Sequence, residues 1–206
     1  MKHDIFIFGS LVRGEVDQSS DCDVLVIPEG SAERNAYPKN WSVYHRQTVK
    51  SFFEQGRLFA WHLHLEARCI FSSQKQNWLE ILGSPQPYQE AAEDVESLME
   101  LLNDSLIALK RGSNSEIYEL GICYTAIRDI AMSVSWSQLR KPSFSRDAPY
   151  LLPVPVPLHY NFYEKAMQAR HFSTRGGANP EDIDATVNAL LKAPLLLWAK
   201  SMKESV

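Results

Sequence analysis

Long apolar runs are missing from this 206-residue sequence. The stretch APLLLWA at residues 193–199 falls far short of the roughly 20 apolar residues that a bilayer-spanning helix needs. The opening, MKHDIFIFGS, lacks the extended apolar region of a secretory signal. Cysteine is also scarce. Cys22, Cys69 and Cys123 are odd in number, widely spaced and never paired as CxxC, which points away from a disulfide framework or a thiolate zinc site. Buried, reduced thiols in a cytoplasmic protein are what this usage predicts. Positive charge is not in excess either: 21 Lys and Arg face 25 Asp and Glu, a net charge of −4. That balance argues against a protein that coats nucleic acid through a general basic field.

What is present is an ordinary globular composition, 45% hydrophobic and 22% charged, enough to bury a real core. DIFIF at residues 4–8 ends at Gly9 and reads as a short buried strand, followed by a short helix to about Glu15. DCDVLVIP reads as a second strand closed by Pro28, acidic at its start and β-branched after it. WSVYHRQ, residues 41–47, is the candidate third strand. TVKSFFEQG predicts a helix stopped by Gly56. RLFAWHLHLEARCIF alternates over His62, His64 and Glu66 like a strand, and fits as well a helix to about Glu66 before a strand at 68–71, the reading favoured here.

From about residue 87 the pattern becomes helical. Val95, Leu98, Met99, Leu102, Leu106 and Leu109 form one stripe, ended by Gly112. Ser113 and Glu116 have capping-box spacing ahead of a second long helix. Residues 141–158 hold five of the eleven prolines and read as a loop or lid-like segment. Asn179-Pro180-Glu181-Asp182 predicts the start of a last helix running toward Lys200. The expected class is therefore α+β: a small α/β domain over residues 1–85, then a helical bundle over 86–206.

The chemistry-bearing residues lie in the first of these. Asp21 and Asp23, one residue apart on a strand, project from the same face. Two carboxylates that close repel unless a cation lies between them, and Mg²⁺ (or Mn²⁺) takes carboxylate and phosphate oxygens. Gly9 and Ser10, between a strand and a helix, let backbone N–H groups approach a phosphate. Gly-Ser, ten residues 11–20 and Asp21-Cys22-Asp23 resemble the GSx10DxD signature of DNA polymerase β-like nucleotidyltransferases. Arg13-Gly14-Glu15 and Ser20-Asp21 resemble the form of that motif found in minimal and antibiotic nucleotidyltransferases. FAWHLHLEARCIF and the segment from Tyr124 to Leu152 resemble the later segments of such proteins more loosely.

The resemblance implies a short mixed sheet with a helical substrate- or partner-binding domain after it. It also implies transfer of a nucleoside monophosphate from a triphosphate such as ATP. Gly9 and Ser10 would sit at the phosphates, with Arg13 steadying their charge or, equally, standing as a surface arginine on the short helix, and Asp21 and Asp23 would hold the metal. Such enzymes usually carry a third carboxylate on a later strand, but NWSVYHRQT contains none. His45 is a base only if it faces the site. Glu54 and Glu66 are candidate replacements, with Glu66 the better one and a helix-end role its alternative. His62 and His64 share a face only on a strand, and a helix separates them. Tyr124 and Arg128, four apart on one helix face, are candidate acceptor-side residues, and Glu119 is a further candidate base.

Two readings of different kinds follow. The first is an Mg²⁺-dependent nucleotidyltransferase acting on a small-molecule or protein hydroxyl. The second is a degenerate, non-catalytic nucleotide-binding or antitoxin-like protein. A nucleic-acid end-modifying enzyme fits the acidic balance poorly. No membrane partner is expected, and a homodimer is compatible with the sequence.

Overall fold

A computed structural model of the chain describes residues 2–16, 22–30, 34–139, 141–176 and 179–206. The chain divides into two compact units, residues 1–89 and 90–206. The architecture is α+β, with a four-stranded sheet in the first unit and helices after it.

The first unit is built on β1 (His3–Phe8), β2 (Asp23–Pro28), β3 (Ser42–Val43) and β4 (Arg68–Ser72), in the order β3-β2-β1-β4. β1 runs antiparallel to β2 and β4, while β3 runs parallel to β2, so the sheet is mixed. Alternation along β1 buries Asp4, Phe6 and Phe8 and leaves the residues between them half-buried, the period-2 signature of a strand. Four helices accompany the sheet: α1 (Ser10–Arg13), α2 (Arg46–Glu54), α3 (Leu58–Glu66) and α4 (Trp78–Leu82). Phe6, Phe8, Leu25 and Ile27 pack with Val49, Phe53, Ala60, Leu63 and Leu79 in one core. Fully burying a side chain such as Phe6 contributes about 1.5–3 kcal/mol. Tyr44, Phe52 and Phe59 extend that core as edge-to-face rings that reach Phe8.

Asp4 is a buried carboxylate within this core. It accepts from Ser72 Oγ at 2.7 Å and from the Trp78 backbone N–H at 2.8 Å, tying β1 to β4 and to the start of α4. A charge out of water is tolerable only with such donors, and a helix N-terminus is a favourable place for it.

The second unit comprises α5 (Ala91–Lys110), α6 (Glu116–Gln138), α7 (Ala148–Leu151), α8 (Tyr160–Arg175), α9 (Ile183–Lys192) and α10 (Leu195–Lys203). α6 is its centre: Leu120, Cys123, Ala126, Ile127, Ile130, Ala131 and Val134 are all buried, and α5, α7, α8 and α10 pack against it. The stripe expected on α5 faces this core, with Val95, Leu102 and Leu109 buried and Leu98, Met99 and Leu106 packed at its margin. No helix among the described residues is long and apolar enough to cross a membrane.

Several expectations shift. β3 spans only Ser42–Val43 rather than residues 41–47, because α2 begins at Arg46 and continues the local helical pattern. The capping box does not form. α6 starts at Glu116 after Ser115, and the Ser113 hydroxyl instead accepts from the Ser115 N–H at 3.1 Å, a local turn. The proline-rich segment is packed rather than lid-like. Phe144, Ala148, Leu152, Val156 and Leu158 are buried, and the Tyr150 hydroxyl and Trp198 indole N–H donate to Leu158 and Val154 carbonyls at 2.9 and 3.1 Å. The last helix starts at Ile183, after Asp182 in the left-handed region at φ 55°. It breaks at Ala193-Pro194, so α9 and α10 are separate helices. A proline cannot continue a helix without losing a hydrogen bond. Of the three thiols only Cys123 is buried, whereas Cys22 and Cys69 are exposed.

Candidate functional site

Antiparallel pairing brings the end of β1 to the start of β2, with Phe8 opposite Asp23. The next residue, Gly9, has φ 76° and ψ −151°, a region open essentially to glycine alone. Space makes the same demand, since a Cβ on Gly9 would fall 2.2 Å from Asp23 Oδ2. The Gly9 backbone therefore rests directly against the Asp23 carboxylate, and any larger residue would push the two apart.

The chain then turns at once into α1. The Val12 and Arg13 N–H groups donate to the Gly9 carbonyl at 3.1 and 3.2 Å, and the Glu15 N–H to the Ser10 carbonyl at 2.9 Å. Gly14 ends the turn in the left-handed conformation at φ 75°, the usual role of glycine after a helix. Ser10 is half-buried at the start of α1. Asp21 lies outside the described residues.

The Gly14 turn folds Glu15 back onto Arg13, whose Nε donates to Glu15 Oε2 at 2.9 Å. The other side of the same guanidinium reaches α3, with Nη1 donating to Glu66 Oε2 at 2.6 Å. His62, one turn earlier on α3, places Nε2 2.9 Å from the same Glu66 oxygen, and its ring packs edge-on against Phe8 at 5.3 Å. Arg13, Glu66 and His62 expose only 18, 15 and 19% of their side chains. Burial alone would raise the Glu66 carboxyl. The hydrogen bond and charge of His62, and then Arg13, outweigh it and hold the group below the ordinary glutamate value.

The candidates thus separate into groups. Gly9, Ser10 and Asp23 meet at one end of the sheet, and Arg13 with Glu66 forms an ion pair behind the turn. His45 is exposed ahead of α2, and Glu54 is exposed with Lys50 Nζ at 3.5 Å. His64 is exposed and turned toward Trp61, apart from His62, as a helix requires. Among the described residues no group of three His, Cys, Asp or Glu side chains is disposed to hold a metal. Asp23 beside a glycine cradle offers oxygen-donor chemistry of the kind that a Mg²⁺-bound triphosphate takes.

In the helical unit, the Arg128 guanidinium lies 5.6 Å from the ring centre of buried Tyr124, a cation–π contact, and its Nε donates to Asp129 Oδ1 at 2.7 Å. Tyr124 also packs on Tyr163, with ring centres 5.0 Å apart. Glu119 is half-buried. Burial, with Glu119 nearby, pushes the Cys123 thiol up to about 12, so this cysteine is an inert core residue. Sequence reasoning weighed Glu15 only as part of the motif and His62 only beside His64, and paired neither with Arg13 or Glu66. The i, i+4 spacing of His62 and Glu66 was a legible signal, but the contact of Arg13 with both carboxylates depends on a partner 53 residues away.

The N-terminal unit is similar to the nucleotidyltransferase domain, whose family model matches residues 2–82. That match is consistent with the polymerase β-like superfamily. It ends before the helical unit begins. No curated protein matches the chain closely enough to count as a relative.

Proposed function

We propose that the chain transfers a nucleoside monophosphate from a nucleoside triphosphate to a hydroxyl of a small molecule or a protein. The observation that carries this reading is the Asp23 carboxylate resting on the Gly9 backbone, directly before Ser10 and the α1 turn. Asp21 and Asp23 would hold the divalent cation, Mg²⁺ or Mn²⁺. The cation, when bound, neutralises phosphate charge and favours departure of pyrophosphate. The close backbone at Gly9 and the Ser10 hydroxyl orient the β- and γ-phosphates. The acceptor oxygen attacks the α-phosphorus as the bond to the bridging oxygen of the β-phosphate breaks, and the acceptor proton passes to a base. Acceptor recognition is assigned to the helical unit, with Arg128 as its first candidate and buried Tyr124 supporting that guanidinium through the cation–π contact.

A second reading, nucleotide binding without turnover, is favoured by one observation. Residues 40–48 carry no acid, and Glu66, the best replacement, already accepts from Arg13 and pairs with His62. Titration of ATP with Mg²⁺ tests what the two readings share. Wild type binds, and Asp21→Ala with Asp23→Ala abolishes binding; an unchanged isotherm in the double variant overturns the site. Label transfer from α-³²P-ATP to the protein or to a hydroxylated acceptor then separates transferase from binder.

A further inference from the structure

Glu15, Arg13, Glu66 and His62 form an unbroken chain of polar contacts from the turn after Gly9–Ser10 to the last turn of α3. Three features give this chain a direction. First, Arg13 is gripped on two sides, through Nε by Glu15 and through Nη1 by Glu66, which is the forked geometry that arginine offers and lysine does not. Second, both polar contacts of Glu66 converge on one oxygen, Oε2, so His62 steadies the carboxylate that holds Arg13. Third, His62 packs against Phe8, the last residue of β1 and the neighbour of Gly9. The α1 turn is only four residues long, too short to hold its own shape in water. Something outside it must fix its direction.

We infer that Glu66 and His62 are positioning residues that act through Arg13, clamping the Gly9–Ser10 turn in its phosphate-facing conformation. Arg13 and Glu66 then contact neither phosphate nor metal, and their effect on ligand passes through the backbone of residues 9–15. This inference rests on the nucleotide reading for its effect on affinity, but not for the clamp itself. Removing a residue that orients direct ligands typically lowers affinity by about 10- to 100-fold, and charge-assisted hydrogen bonds between partly buried groups are the strong kind.

The test uses the full chain and the variants Glu66→Ala, Glu66→Gln and Arg13→Lys, each read by hydrogen exchange and by titration with Mg²⁺ and ATP. Glu66→Ala and Arg13→Lys are expected to speed exchange at the amides of Val12, Arg13 and Glu15 by about tenfold while the amides of α6 keep wild-type rates. Unchanged exchange at those three amides overturns the clamp, and so does equal acceleration across the whole chain. Where wild type binds ATP, both variants weaken it by about tenfold, and the double variant weakens it no further than either single one. Loss in Arg13→Lys with none in Glu66→Ala makes Arg13 a direct phosphate contact and overturns the inference. Loss of an ATP-dependent Mn²⁺ signal by electron paramagnetic resonance in Glu66→Gln makes Glu66 a metal ligand and overturns it as well. If wild type binds no ATP, the nucleotide reading fails, and hydrogen exchange alone still decides for or against the clamp.

Discussion

Gly121 in the helical unit and Gly9 in the N-terminal unit are both crowded, but for different reasons. A Cβ on Gly121 would meet the Arg170 Cα at 2.9 Å, so this glycine lets the α6 and α8 backbones approach while keeping an ordinary helical conformation. Gly9 meets a carboxylate, Asp23, and adopts a backbone conformation that other residues rarely reach. The first is a packing glycine at a helix crossing, and the second is a glycine that keeps a charged group close to a bare backbone. The same contrast runs through the two units. The helical unit hides a continuous apolar core around α6, whereas the N-terminal unit couples a smaller core to a set of partly buried charges. Changes in the helical unit should therefore register as stability, and changes around Gly9 as ligand binding.

The largest stability effect is expected in the helical core. Leu120→Ala, at a position with 0% exposure, should cost about 3 kcal/mol, read as a lower urea midpoint by circular dichroism at constant slope. A loss below about 1 kcal/mol would show that α6 is not the centre of that core. Gly121→Ala should cost about 2 kcal/mol because the obstruction is backbone that cannot swing away, with ATP titration in the presence of Mg²⁺ unaffected. Gly9→Ala reverses the pattern. Its stability cost is about 1–2 kcal/mol for the unusual backbone, yet it should abolish ATP binding, since Asp23 must move. Retained binding in Gly9→Ala would erase the distinction between the two glycines.

A pH experiment sharpens the electrostatic side. The folded Glu66 carboxyl titrates below its ordinary value of 4.5, so folding favours its ionised form. The stability it contributes is fully present above that ordinary value and is lost as pH falls through the lower folded value. Wild type and Glu66→Gln should therefore differ most near neutrality and converge in acid; a gap that does not shrink at all as pH falls below 4.5 would refute the lowered carboxyl. The smallest effect belongs to the exposed Lys50–Glu54 pair. Lys50→Ala should change stability by no more than about 0.5 kcal/mol.

Much of this architecture was legible before any coordinates. The strand to Phe8, the strand to Pro28, the helix to Glu54 and the α5 stripe follow from apolar period and from Gly or Pro at the boundaries, whereas residues 57–66 fit a strand as well as the helix they form. The misread places share a cause. Trp41–Gln47 alternates like a strand, yet only Ser42 and Val43 pair with β2 as strand, and Tyr44 adds one N–H bond to the Val26 carbonyl before α2 begins. Ser113 and Glu116 have the right spacing for a capping box, but the Ser113 hydroxyl is taken by a local turn. Residues 141–158 are the loop that their prolines suggest outside α7, but the burial of Val156 and Leu158 depends on neighbours distant in sequence. Local pattern says what a segment can do, and competition among distant partners decides what it does.

The sequence by itself determined the spacing of Gly9, Ser10 and Asp23 around one strand–turn–strand unit, because a two-residue period and the conformational freedom of glycine are local properties. It also showed that the third strand brings no carboxylate. Only the tertiary structure decided where the charges go. Arg13 reads equally well as a phosphate ligand or a surface residue, and Glu66 as a catalytic acid or a helix end, until α3 is packed beside α1. The two then pair at 2.6 Å across 53 residues. Ion pairs form between whichever opposite charges the packed core brings together, and no short-range rule in the sequence specifies that choice.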